Sequence, residues 1–178
     1  LSLRLLRQET DKDAAWSLPR GNDLTERCLA NLPFRLTGAQ SRVWAEIEKD
    51  RRRPHPMMRL VQGDVGSGKT VVAALAAVRA VEHDGQAAVM APTELLAEQH
   101  ARNFNAWLEP LGIRVALLTG RQTGKVRATL EADLASGSIQ VAVGTHALFQ
   151  ENIAFQRLVL AIVDEQHRFG VHQRLQLR

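Results

Sequence analysis

Two short stretches hold residue types that could act together on a phosphorylated ligand. In "LVQGDVGSGKT", Gly63 is followed after four residues by Gly68-Lys69-Thr70. Glycines let the backbone turn so that successive N–H groups point into one hollow, with no Cβ in the way of a phosphate. A helix opening near Gly68 adds its positive end to the same spot. Gly63, Asp64, Val65, Gly66, Ser67, Gly68, Lys69 and Thr70 therefore form a candidate nucleotide cradle. Lys69 is placed to reach the outer phosphates, and the Thr70 hydroxyl to hold Mg²⁺. A glycine turn with a merely structural purpose would leave Lys69-Thr70 unexplained.

The second stretch is "LVLAIVDEQHRFG". Six apolar residues deliver Asp164 and Glu165 side by side. In an open parallel sheet, ligand chemistry sits outside the carboxyl ends of the strands. An apolar run of this length reads as an interior strand, and the two acids lie just past its end. Asp164 is then a candidate to orient a Mg²⁺ shell. Glu165 is a candidate to orient or deprotonate an attacking water. A carboxylate is a weak base in bulk water, so positioning and the field of a metal must supply most of its effect. Alone, an acidic pair after a strand reads as an ordinary polar turn; the phosphate loop upstream in the same pattern is what favours chemistry.

The elements that must position these residues follow from the hydrophobic pattern. "MMRLVQ", "QAAVMA", "RVALLT", "IQVAVG" and "LVLAIV" read as strands. "GKTVVAALAAVRAVEH", "TELLAEQHARNFNAWL" and "QTGKVRATLEADLAS" read as helices. Near-continuous apolar strands alternating with helices predict an α/β fold, a mainly parallel sheet covered on both faces. Upstream, "TGAQSRVWAEIEKDRRR" carries Val43, Trp44 and Ile47 at helical spacing, and "DLTERCLANL" reads as a short helix opened by a polar cap. "LRLLRQ" reads as the beginning or end of a helix. The basic "RRRPHP" run caps a helix and enters a solvated loop.

Composition sets wider bounds. The 178 residues suit one domain or part of one, and the 45% hydrophobic and 24% charged content is that of a globular protein. A net charge of +4 permits a polyanionic partner but does not demonstrate one. The single cysteine, Cys28, excludes an internal disulfide and reads as a small buried apolar residue. No apolar stretch approaches the roughly 20 residues of a spanning helix. The chain opens on Leu1 rather than Met, and both ends are expected to be cuts in something longer.

"GDVGSGKT", "MAPTELLAEQH", "VGTHALFQ" and "IVDEQHRFGVHQR", in that order, resemble the first motor domain of RecG-type DNA translocases. These are superfamily 2 helicases that remodel stalled forks and drive branch migration. The resemblance covers residues 32–178, a partial RecA-like domain of three α/β/α layers. Residues 1–31 resemble the connector that precedes it. It implies ATP and Mg²⁺ as cofactors, branched DNA as partner, a cytoplasmic bacterial setting, and Asp164-Glu165-Gln166-His167 as the "DEQH" box. It also implies an adenine-reading role for Gln40, strand contacts at Pro92, Thr93, Gly120, Thr145 and His146, and coupling of nucleotide to DNA movement by Gln166 and His167. Thr93 and Thr145 could equally be plain helix caps, and the two roles are compatible. His167 has no second histidine or cysteine at ligand spacing and is not expected to hold a metal.

A related motor, that of the transcription-repair coupling factor, also ends this motif in "HRFGV"; Ser67 and Glu94 favour the branch-migrating type. A P-loop ATPase acting on something other than DNA, or a non-catalytic nucleotide-binding module, are further alternatives. The resemblance also implies a central strand, beyond Arg178, between the phosphate-loop strand and "LVLAIV". A chain without it and without a second lobe is expected to bind nucleotide weakly and turn it over very slowly.

Overall fold

The computed structural model describes residues 2–6, 23–51, 58–62, 68–150 and 152–165. The apolar runs become β2 (Met58–Gln62), β3 (Gln86–Met90), β4 (Val115–Leu118), β5 (Val141–Gly144) and β6 (Leu158–Glu165). The amphipathic segments become α1 (Leu24–Asn31), α2 (Gly38–Arg51), α3 (Lys69–Val81), α4 (Glu94–Leu108) and α5 (Gly124–Ala135). A further strand, β1 (Ser2–Leu6), comes from "LRLLRQ". The helical reading of that stretch is thereby corrected. Leu3 and Leu5 alternate with Arg4 at the period of a strand, and what decides the outcome is two neighbouring strands ready to pair.

The sheet order is β2-β1-β6-β3-β5-β4. β6, β3, β5 and β4 are parallel neighbours. β1 runs antiparallel to both β2 and β6, so β2 points the same way as those four. The position expected for a further central strand is held by β1. β3 and β5 are buried at every residue, as interior strands of a covered sheet must be, whereas β4 at the edge is mostly half-buried.

Residues alternate between two apolar clusters with the period of two that a strand imposes. Ala87, Val89, Val141, Val143, Leu160 and Ile162 face α3 and α4, joined by Phe104 and Leu108. Ala88, Leu118 and Ala142 face the other way, against Leu134, Ile139 and Leu148. Fully burying a side chain such as Leu108 contributes roughly 1.5–3 kcal/mol before entropy is charged against it. α3 is buried at every residue from Val71 to Ala80, because α1 and α2 cover its outer side. Its run of alanines lets the helix sit close to both layers.

Cys28 lies in this core, and burial pushes its thiol up to about 11, which keeps it protonated and inert. Asp23 opens α1 without a side-chain cap hydrogen bond. No helix among the described residues is long and apolar enough to cross a membrane.

Candidate functional site

Because β2, β6, β3, β5 and β4 all point one way, the segments leaving their carboxyl ends emerge along one edge. The register fixes two of them. Leu3 pairs with both Val61 and Asp164, and Ser2 with both Gln62 and Glu165. The ends of β2 and β6 are therefore level, two strand spacings or about 10 Å apart. The turn after β2 leads into α3 at Gly68. Gly63, Asp64, Val65, Gly66 and Ser67 lie outside the described residues, as do Gln166 and His167.

Gly68 precedes α3 in the left-handed region at φ 74°, where a side chain would be strained. A Cβ there would also overlap the amide nitrogen of Gln40. Gln40 is held in place by a reciprocal cap at the start of α2. Its Oε1 accepts from the Thr37 N–H at 2.8 Å, while its own N–H donates to Thr37 Oγ1 at 3.2 Å. The family resemblance implies that Gln40 and Gly68 belong to one site, and the two residues lie in contact. Lys69 and Thr70 are the first residues of α3, half-buried, in the turn whose N–H groups lack intrahelical acceptors. The positively biased helix end thus carries an ammonium residue and a hydroxyl residue as its first two positions, the residue types that suit an anion.

Asp164 is 3% exposed. It shares the strand face of Leu160 and Ile162, the side of the sheet on which α3 and α4 pack. There His100 Nε2 lies 2.7 Å from its Oδ2. Its other oxygen, Oδ1, is buried and has no hydrogen-bond partner among the described residues. An orphaned buried acceptor is expensive, roughly 1–3 kcal/mol, and is the atom through which a carboxylate would hold a cation or its water. Among the described residues no cluster of three or more His, Cys, Asp or Glu could hold a metal unaided. One carboxylate with one hydroxyl suits instead a hard cation that takes its remaining ligands from phosphates and water. Glu165 ends β6 one residue further on.

The sequence alone assigns His100 no role. Its signal was present: Ala97, Ala101, Phe104 and Leu108 make the buried stripe of α4, and His100 is the polar residue within it.

The other three strand ends form a row in the order β3, β5, β4. After β3, Ala91 N–H donates to Gly144 O at 2.8 Å, extending the ladder by one rung before Pro92. Thr93 caps α4, its Oγ1 accepting from the Leu96 N–H at 3.3 Å. Gly144 lies so near the Leu118 carbonyl that a Cβ would collide with it, which explains the glycine in "VGTHAL". Beyond it Thr145 is 5% exposed whereas His146 is exposed, so of this pair His146 lies on the surface. Gly120 is exposed in the turn after β4, and that turn is tied to the first turn of α4 by Arg121 Nε to Glu94 Oε2 at 2.5 Å. Pro92, Thr93, Gly120 and His146 are therefore gathered on neighbouring loops. Such a row offers small hydroxyls, an imidazole and backbone N–H groups, which bind phosphates without reading bases.

A mainly parallel sheet with a glycine-led helix start at one strand end and a buried aspartate at the next but one defines the class: an α/β nucleotide-binding domain of the RecA-like P-loop kind. The family model described as DEAD/DEAH box helicase matches residues 37–178, and the chain belongs to that family. It is an ATP-binding family that typically works with a divalent metal. The chain is 59% identical over 177 residues to the ATP-dependent DNA helicase RecG of Escherichia coli (strain K12), covering 99% of this chain and 26% of that protein. Its identity to the RecG helicase of Pasteurella multocida (strain Pm70) is 57% over 178 residues, with 100% and 26% covered. For that of Bacillus subtilis (strain 168) the identity is 52% over 157 residues, with 88% and 23% covered. A solved structure of RecG bound to a three-way DNA junction superposes with a TM-score of 0.78 at 46% identity, covering 86% of this chain and 21% of that one. The chain spans about a quarter of the length of the curated relatives it matches.

Proposed function

We propose that this chain is the ATP-binding part of a RecG-type motor, the first lobe of an ATP-dependent helicase that acts on branched DNA in recombination and repair. The observation that carries the reading is the shared edge: Gly68-Lys69-Thr70 at one strand end, Asp164 at another, and the Pro92–Thr93, Gly120 and Thr145–His146 loops in a row beside them. ATP is the substrate. The loop from Gly63 to Thr70 cradles its phosphates, Lys69 carries charge to the outer ones, and Gln40 reads the adenine edge. Thr70 and Asp164 would hold Mg²⁺, which when bound neutralises phosphate charge and orients the transferring group. Glu165 orients the attacking water. The loop row follows one DNA strand through its phosphates, and Gln166 and His167 pass the state of the nucleotide to that row. Residues 1–31 are read as the connector to a branch-recognising domain, and 32–178 as the motor portion.

The identity of 59% to a RecG helicase, with Ser67 and Glu94 in place, favours this over the motor of a transcription-repair coupling factor. The test is ATP turnover by the protein at its relatives' full length, with a three-way junction, linear duplex or no DNA. Stimulation greatest with the junction is expected, and Lys69→Ala is expected to lower turnover roughly 10²–10³-fold, the scale of losing one group aimed at developing charge. Turnover indifferent to DNA would overturn the reading. The 178-residue chain assayed alone is expected to be far slower than the longer protein.

A further inference from the structure

His100 connects two parts of the edge described so far as neighbours. It lies on α4, the helix whose cap is Thr93. From Thr93 to His100 is seven residues, two turns, or about 10 Å along the axis. Between and beyond them Ala97, Ala101, Phe104 and Leu108 are packed in the core, so α4 cannot turn one end without the other. At the far end of this rigid piece, His100 Nε2 meets Asp164 Oδ2 at 2.7 Å, with both side chains buried. The carboxylate is thus pinned at one oxygen and presents the other, Oδ1, which has no hydrogen-bond partner among the described residues.

We propose that His100 is a positioning residue. It fixes the Asp164 carboxylate so that Oδ1 faces the metal–nucleotide site, and through α4 it carries engagement of DNA at Thr93 to that carboxylate. This rests on the DNA-motor reading above. A group that only satisfied a buried acid would stabilise the fold without touching metal binding or the response to DNA.

The experiment uses the protein at its relatives' full length and three variants, His100→Phe, His100→Asn and His100→Gln. The first removes the donor, the second leaves one too short to reach, and the third returns an amide nitrogen at about the distance of Nε2. Mn²⁺ affinity is read by electron paramagnetic resonance in the presence of a non-hydrolysable ATP analogue, so that no turnover enters. DNA stimulation of ATP hydrolysis is then read at saturating metal with a three-way junction. Phe and Asn are expected to weaken Mn²⁺ binding about tenfold, the usual effect of removing the hydrogen bond that orients a metal-binding carboxylate. They are also expected to lower the stimulation ratio, while junction affinity stays unchanged and Gln restores both readouts. Should His100→Phe fail to fold, His100→Asn decides. Wild-type Mn²⁺ affinity and stimulation in the Phe and Asn variants, with a lowered melting temperature alone, would overturn the proposal. Wild-type protein that ignores DNA would instead overturn the motor reading and the coupling with it, and the Mn²⁺ measurement would still decide whether His100 sets Asp164.

Discussion

The two sides of the sheet are held together by different means. On the side that carries the loop row, β3, β5 and β4 are parallel neighbours, with α4 and α5 supplied by the segments between them. Its buried polar fastening is neutral. Gln86 donates to Leu134 O at 2.9 Å and Ile139 O at 2.7 Å, and accepts from the Arg157 N–H at 2.9 Å. On the nucleotide side, β2 and β6 do not pair with each other; each pairs with β1, whose Ser2 faces Glu165 from the other end of the chain. Its buried polar fastening is charged. Arg79 on α3 reaches Glu48 on α2 and Glu82 at the C-cap of α3, and Glu82 accepts from the Thr25 N–H on α1 at 2.6 Å. The loop-row side therefore closes through nearer contacts. The nucleotide side depends on a sequence-remote strand and on ions taken out of water, so it should open first.

The largest expected effect tests the charged fastening. Arg79 is 7% exposed and the Glu82 side chain 1%, so Arg79→Ala strands a buried carboxylate. The loss should be roughly 3–5 kcal/mol in urea unfolding. Arg79→Met, in company with Glu48→Leu and Glu82→Leu, should recover much of it, because it is the unpaired charge rather than the missing bond that costs. A triple variant as unstable as Arg79→Ala would show that the network itself stabilises this side.

Leu5→Pro comes next. Leu5 pairs with Arg59 on one flank and Ile162 on the other, and proline removes an N–H that an interior strand must donate. Leaving the facing carbonyl unpaired should cost roughly 1–3 kcal/mol. Amide hydrogen exchange should speed up in Met58–Gln62 and Leu158–Glu165 while β5 and β4 keep their protection. Equal loss of protection on both sides would show that the two sides open together.

That distinction also marks what the residues reveal before folding. "MMRLVQ", "QAAVMA", "RVALLT", "IQVAVG" and "LVLAIV" all became strands, and each predicted helix began within two residues of its expected start, because pattern and cap signals are local. The candidate site could be proposed from sequence for the same reason: a phosphate-cradle pattern and an acidic strand end are each a few residues long. β1 was not legible, since "LRLLRQ" suits a helix end as well as a strand and only its partners decide. Nor was the contact of Gln40 with Gly68, or the hold of His100 on Asp164, which spans 64 residues. His100 could have been flagged as the polar member of an apolar stripe, but its partner could not have been named.

The smallest effect separates two roles that sequence left superimposed on Thr93. As a cap, its Oγ1 holds the Leu96 N–H, and Thr93→Ala should cost about 1 kcal/mol. As part of the loop row, the same exposed hydroxyl would meet a DNA phosphate. Alanine removes both roles and cannot tell them apart. Aspartate can, because its carboxylate caps a helix as well as threonine does and favours the positive helix end, yet it repels a phosphate. Thr93→Asp should therefore keep the stability of the unaltered protein while weakening junction binding in low salt, and the difference should shrink as salt screens the added charge. Unchanged junction affinity in Thr93→Asp would confine Thr93 to capping and move the strand contact elsewhere along the row, to the exposed Gly120 turn and His146.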